Sequence, residues 1–212
     1  MQKKYFILMA DIIGSSETAG NKLMKDFNKV VTQINENQQE LLLSPLTITL
    51  GDEFQGIVKN LPAGIETILK IEETLILLQL DFKLRYVLHY GSIETPINTE
   101  IAHGMLGKGL ATARKKLEEL KSEKDNRFLI DSGDPKTDGL LNNLLFLYRS
   151  ILDSWSPKDF ALLSAFWEKQ DYKKVAEQFG KVNSLMWKRE RSLKLKEYAV
   201  IKETLALALT CK

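Results

Sequence analysis

Two carboxylates stand where the chain is expected to turn. Asp11 stops the apolar run Tyr5–Ala10, and Asp52 lies in the stretch Leu50-Gly51-Asp52-Glu53-Phe54. The segments beside the Gly-Asp step, Leu46–Leu50 and Glu53–Lys59, are rich in β-formers. The step itself accepts the positive φ of a tight hairpin. A run that is apolar on both faces predicts a central, buried strand, with Asp11 at its C-terminal end. If that strand lies beside the hairpin in a βαββαβ sheet, its end and the hairpin tip share one edge. Asp11 and Asp52 then approach each other. Two close carboxylates require a shared proton or a cation between them. A hard divalent cation with oxygen ligands is the chemistry the pair points to. The plainer alternative is that both aspartates only serve their turns.

The elements that must position this pair can be read from periodicity. Leu23, Phe27, Val30, Val31 and Ile34 recur at helical spacing within Ala19–Leu43, a helix that Pro45 is expected to end. Pro62 opens a second helix to about Leu80. Phe82–Tyr90 reads as a strand, Leu110–Lys121 as a helix, and Arg127–Asp131 as a fifth short strand. The order β-α-β-β-α-β-α-β is that of a ferredoxin-like palm with one βα extension, an α+β fold. Gly104-Met-Leu-Gly107-Lys-Gly109 lacks the Gly-Lys-Ser/Thr end of a phosphate loop and reads as a strand-to-helix turn. The polar loop Asp131–Asp138 does not have EF-hand spacing and reads as a turn. His89 lies inside an apolar strand and reads as a core histidine, and neither it nor His103 has zinc-ligand spacing.

After Leu140–Leu152, a helix, the segment Asp153-Ser-Trp-Ser156 marks an expected boundary between a first domain, 1–152, and a second, 153–212. Ser156, Pro157 and Asp159 punctuate a helix start, and Phe160, Leu163, Phe166 and Trp167 line that helix. Ala176, four residues before Gly180, has helix-turn-helix spacing: a small residue lets two helices cross closely, and glycine accepts the turn. Val175, Phe179 and Met186 are its expected core contacts, and Asn183 or Ser184 its second cap. The second helix, Ser184–Lys196, would display Lys188, Arg189, Arg191, Lys194 and Lys196, with Tyr198–Leu209 closing the unit. Those cations make DNA phosphates the expected partner of this small all-α domain.

Charge agrees with that division. Residues 153–212 carry 12 Lys/Arg against 8 Asp/Glu, a net +4, while the remainder carries 18 against 20, a net −2. A basic tail behind an acidic domain points to a tail that meets an anion. The single cysteine, Cys211, allows no internal disulfide, which fits a reducing compartment. No apolar stretch is long enough to span a bilayer, and Asp11 cuts the first apolar run too early for a signal peptide. The expected location is the cytosol.

Asp11-Ile-Ile-Gly-Ser-Ser16 together with Leu50-Gly-Asp-Glu-Phe54 resembles the palm shared by class III nucleotidyl cyclases and GGDEF proteins. The chain as a whole resembles the SatD family, which joins such a palm to a C-terminal helix-turn-helix. The resemblance implies Mg²⁺ or Mn²⁺ on Asp11 and Asp52, with the backbone of Ile12, Ile13, Gly14, Ser15 and Ser16 around the phosphates of a nucleoside triphosphate. It makes Glu53 an accessory acid. Class III cyclases carry a base-reading Lys where this chain has Ile48, and an Asn-x-x-x-Arg pattern where it has Leu110 and Arg114. Arg114 is therefore catalytic only if the palm is active, and the loss of an orienting group can cost about a hundredfold in rate. The implied function is a nucleotide- and metal-responsive DNA-binding regulator whose palm acts as a sensor. The alternative is an active, divergent nucleotidyl cyclase or nucleotidyltransferase whose tail serves dimerisation or partner binding. Both the cyclase resemblance and the usual two half-sites of helix-turn-helix proteins favour a homodimer.

Overall fold

The apolar run at the N-terminus forms β1 (Lys4–Ile12), the middle strand of a five-stranded sheet in a computed structural model that describes residues 3–15, 20–123 and 125–210. The remaining strands are β2 (Leu42–Ile48), β3 (Glu53–Val58), β4 (Leu84–Ser92) and β5 (Phe128–Asp131), in the order β2-β3-β1-β4-β5. The first four pair antiparallel in the ferredoxin-like order, and β5 is added parallel to β4. Between them run α1 (Gly20–Asn37), α2 (Leu61–Leu77) and α3 (Lys108–Leu120), and α4 (Pro135–Leu152) follows β5. The α+β class expected from the element order is the one observed.

Burial on both faces explains the unbroken apolar run. Ile7 and Met9 of β1, with Ile57 and Val87, pack against Leu110, Ala113, Leu117 and Leu120 of α3. The alternate residues Leu8 and Ala10 are equally buried on the other face, where Phe27 of α1 stacks on Phe54 and Gly64 of α2 sits against Leu88. The first turn of α3 needs its glycine: a Cβ on Gly109 would lie 2.5 Å from the backbone carbon of Gly91 on β4. Close helix–strand approach, not phosphate binding, accounts for that glycine.

Two expected boundaries move. The helix thought to run to Leu43 ends at Asn37, and Pro45 lies inside β2. β2 is an edge strand with register shifts between Leu42, Ser44 and Thr47, so a missing N–H is tolerated there. Asn35 of α1 also clamps Leu46, giving and taking backbone hydrogen bonds of 2.8 Å each. The hairpin tip is a four-residue loop, Thr49–Asp52, not a two-residue turn. Gly51 supplies its positive φ of 82°, and the Thr49 N–H donates to the Glu53 carbonyl at 2.9 Å.

The chain divides into two compact units, Met1–Glu72 with Phe82–Asn142, and Glu73–Asp81 with Asn143–Lys212. The second unit contains α5 (Pro157–Lys169), α6 (Tyr172–Gln178), α7 (Asn183–Ser192) and α8 (Leu195–Thr210). Its centre is aromatic: Tyr198 lies 5.1 to 5.6 Å, centroid to centroid, from Trp155, Trp167 and Tyr148. The Trp155 indole N–H donates to the Leu193 carbonyl at 2.9 Å. The expected helix start is observed, and Ser156 and Asp159 there form a capping box at the start of α5. Among the described residues no helix is long and apolar enough to cross a membrane.

Candidate functional site

Strand register decides which side chains meet at the expected edge. Asp11 shares its face with Met9 and Ile7, so it points toward α3. Its cross-strand neighbours are Glu53 on β3 and Arg85 on β4. A carboxylate directly opposite another is unfavourable, and the guanidinium on the far side compensates. Arg85 Nη1 donates to both Asp11 oxygens, at 3.0 and 2.7 Å, and Lys121 Nζ stands 3.7 Å from one of them. The Asp11 side chain is only 6% exposed. Its carboxyl is pushed up to about 6, chiefly by burial and also by Asp52 and Glu53, against the pull of Arg85 and Lys121.

The hairpin tip is tied to the end of β1, since the Ile12 N–H donates to the Asp52 carbonyl at 2.9 Å. Asp52 also accepts a 2.5 Å hydrogen bond from the Ser15 hydroxyl. Glu53, buried, takes a 2.5 Å bond from Arg114 Nη2 and a 3.3 Å bond from Thr49 Oγ1. The fold thus gathers Asp11, Asp52, Glu53, Arg114 and the turn after β1 at one edge. Ile12 is buried, while Ile13, Gly14 and Ser15 lie on the turn, with Gly14 at φ 74°. Ser16, expected in the same turn, lies outside the described residues, as does Cys211.

Arg85 and Lys121 escaped the sequence reading. A signal existed: Arg85 is the lone cation in Leu84-Arg-Tyr-Val-Leu88, at a position where alternation makes it face the same side as Val87. His89 is corrected too. It is not merely packed in the core, because its Nδ1 lies 2.7 Å from Asp131 Oδ2, with Lys116 Nζ 3.2 Å from the same oxygen. Burial works to raise the Asp131 carboxyl, but bonds to His89 and Lys116 prevail and hold it low. Asp134 and Asp138 serve the turn, accepting from Thr137 and Ser132 respectively.

The donor set suits a hard cation in kind: carboxylates of Asp11 and Asp52 with a hydroxyl nearby. As the side chains stand, however, Arg85 covers both oxygens of Asp11. Among the described residues no group of three or more His, Cys, Asp or Glu is arranged around a point that could hold an ion. A cation here would need Asp11 to exchange its partner.

The five basic residues expected on one helix are split. Lys188, Arg189 and Arg191 are on α7, Lys194 sits in the turn after it at φ 54°, and Lys196 opens α8. Arg189 pairs with Asp159 and bonds Ser192, and Arg191 lies 4.8 Å over the Trp187 ring. Lys188, Lys194 and Lys196 are exposed. α6 and α7 are joined by a turn with Gly180 at φ 60°, and Ala176 is buried as the spacing required. Phe179 is half-exposed rather than core, and Val182 rather than Asn183 or Ser184 occupies the N-cap of α7.

The sheet order, with its added parallel strand, defines an α+β protein of ferredoxin-like topology. The chain belongs to the SatD family, whose family model matches residues 5–209. No curated protein matches it. Among solved structures it is similar to a bacterial light-regulated adenylyl cyclase (18% identity, TM-score 0.45), over 61% of this chain and only 43% of that one. It is also similar to the adenylyl cyclase CyaB from P. aeruginosa (14% identity, TM-score 0.45), over 68% and 82% of the two chains. A third is the guanylate cyclase domain of RhGC from Catenaria anguillulae in complex with GTP (18% identity, TM-score 0.41), over 60% and 79%.

Proposed function

We propose that the palm binds a nucleoside triphosphate together with Mg²⁺ or Mn²⁺ at the edge formed by β1, β3 and β4, and that it does so as a sensor. The observation that carries this reading is the convergence of Asp11, Asp52 and Glu53 with Arg85, Arg114 and Lys121 beside the turn Ile12–Ser15. Asp11 and Asp52 would hold the ion, which when bound neutralises charge between the carboxylates and the phosphates. The Ser15 hydroxyl, donated to Asp52 as the site stands, would turn to the phosphate oxygens. Arg114, 47% exposed in its side chain, is the cation best able to turn outward to an anion. Leu110, at the position where the resembling cyclases carry an orienting Asn, is packed into the core against β1 and β4. That placement favours binding without turnover.

The second unit is the proposed output, with α7 meeting DNA. What favours it is that α7 buries Met186 alone and leaves Lys188 and Arg191 exposed. A homodimer would present two such helices, as paired half-sites require.

Calorimetry with each ribonucleoside triphosphate and Mg²⁺ or Mn²⁺, followed by mass spectrometry of the mixture, tests the palm. Binding without conversion is expected, and Asp52→Asn should weaken it while the fold is kept. Conversion would replace the sensor with a divergent cyclase or nucleotidyltransferase using Arg114. Silence with every triphosphate refutes the reading. For the tail, a gel shift across a salt series should give a slope that Lys188→Ala with Arg191→Ala flattens by about 1.8 units, at about 0.9 per phosphate contact. A folded chain that binds no DNA at low salt removes that half of the proposal.

A further inference from the structure

The Asp11–Arg85 pair has a geometry that bears on how the edge takes up a cation, a question that rests on Asp11 being an ion ligand as proposed above. Arg85 Nη1 reaches both oxygens of Asp11, at 3.0 and 2.7 Å. Both side chains are enclosed, at 12% and 6% exposure. Glu53 stands opposite Asp11 on the other neighbouring strand, so the cluster would carry adjacent like charges without Arg85. Lys121 is looser, 3.7 Å from one oxygen and 42% exposed.

We propose that Arg85 is the resident counter-ion of Asp11: its guanidinium takes the place that a divalent cation would need, so ion and guanidinium are alternative occupants of one carboxylate. An ion approaching Asp11 finds both oxygens engaged and a like charge in its path. It binds only by displacing Arg85. The displaced guanidinium stays tethered to β4 at the same edge, where its fork of donors suits a phosphate oxygen pair. The resident arginine therefore sets the ion concentration at which the site loads, and keeps the three carboxylates balanced below it.

Titration of the full chain with Mn²⁺ alone, followed by the electron paramagnetic resonance signal of free Mn²⁺, tests this. Arg85→Met should bind Mn²⁺ about tenfold or more tightly than wild type, because it removes both the like charge and the competing donor. Lys121→Met, which removes a charge at longer range without uncovering Asp11, should gain less than about threefold. Combining Asp11→Asn with Arg85→Met should abolish the gain. Circular dichroism checks each fold. Arg85→Lys, which keeps the charge but loses the fork, stands in if Arg85→Met does not fold, with a gain of about threefold expected. Arg85→Met within about twofold of wild type, or matched by Lys121→Met, overturns the proposal. No Mn²⁺ binding by any variant overturns it as well. Nucleotide takes no part, so a chain that ignores every triphosphate can still pass, and one that binds them can still fail.

Discussion

Glu72→Gln is the substitution that most directly tests how the palm holds the strand carrying Arg85. Glu72 of α2 and Arg127, just before β5, are 6% and 5% exposed in their side chains. Two guanidinium nitrogens donate to the two carboxylate oxygens at 2.8 Å each, and the Tyr86 hydroxyl donates to Glu72 at 2.7 Å. Arg127 also donates to the Leu84 carbonyl at 3.0 Å, bracing the residue next to Arg85. Glutamine keeps the shape but turns one acceptor into a donor facing a guanidinium, and it leaves a buried cation without its counter-charge. Breaking one side of a buried pair costs about 3–5 kcal/mol. For a chain of this size that lowers the midpoint of thermal unfolding by roughly 6–20 °C. Urea denaturation followed by far-UV circular dichroism measures the cost, and hydrogen exchange of the β4 and β5 amides localises it. The double change Glu72→Leu with Arg127→Met should cost much less than the sum of the single changes, because no charge is then left stranded. A cost below about 1 kcal/mol for Glu72→Gln would show that the pair is effectively solvated, and would refute the reasoning.

Further outcomes concern other links in the structure. Asp159→Asn should destabilise the second unit by about 1–2 kcal/mol near neutral pH through loss of the charged cap. Burial works to raise the Asp159 carboxyl, but bonds from the Ser156 backbone and hydroxyl and the Arg189 charge hold it below the usual range. Its stabilisation is therefore present above the unfolded carboxylate value and lost as pH falls through the lower folded value. Wild type and Asp159→Asn should converge in acid denaturation, and a gap that persists at low pH would contradict this. Gly109→Ala should cost about 1–3 kcal/mol, because its Cβ has no room against Gly91 and α3 must shift. An unchanged midpoint in urea would contradict that packing. Asn35→Ala should cost about 1–3 kcal/mol by stranding both backbone groups of Leu46 on β2. Amide exchange at Leu46 should rise with it, and exchange that stays slow would count against the clamp.

Local pattern carried much of this protein. An apolar run without alternation, Tyr5–Ala10, already required a strand buried on both faces, and the element order β-α-β-β-α-β-α-β pointed to a ferredoxin-like sheet. That is why Asp11 and the Gly51-Asp52 tip could be assigned to one edge. The helix start at Ser156-Pro157 and the burial of Ala176 were likewise legible, since each depends on residues within a turn or two of each other. Other features depended on pairing across the sheet or between helices. Pro45 argues against a strand in isolation, and only the edge position of β2 makes its missing donor harmless. The basic helix read as continuous to Lys196 breaks at Lys194, where Leu193 turns inward to receive the Trp155 indole bond. Arg85 lies 74 residues from Asp11, and although alternation puts it on the face of Val87, nothing local names its partner. Antiparallel register between β1 and β4 places it opposite Asp11, and the two side chains meet there nearly enclosed.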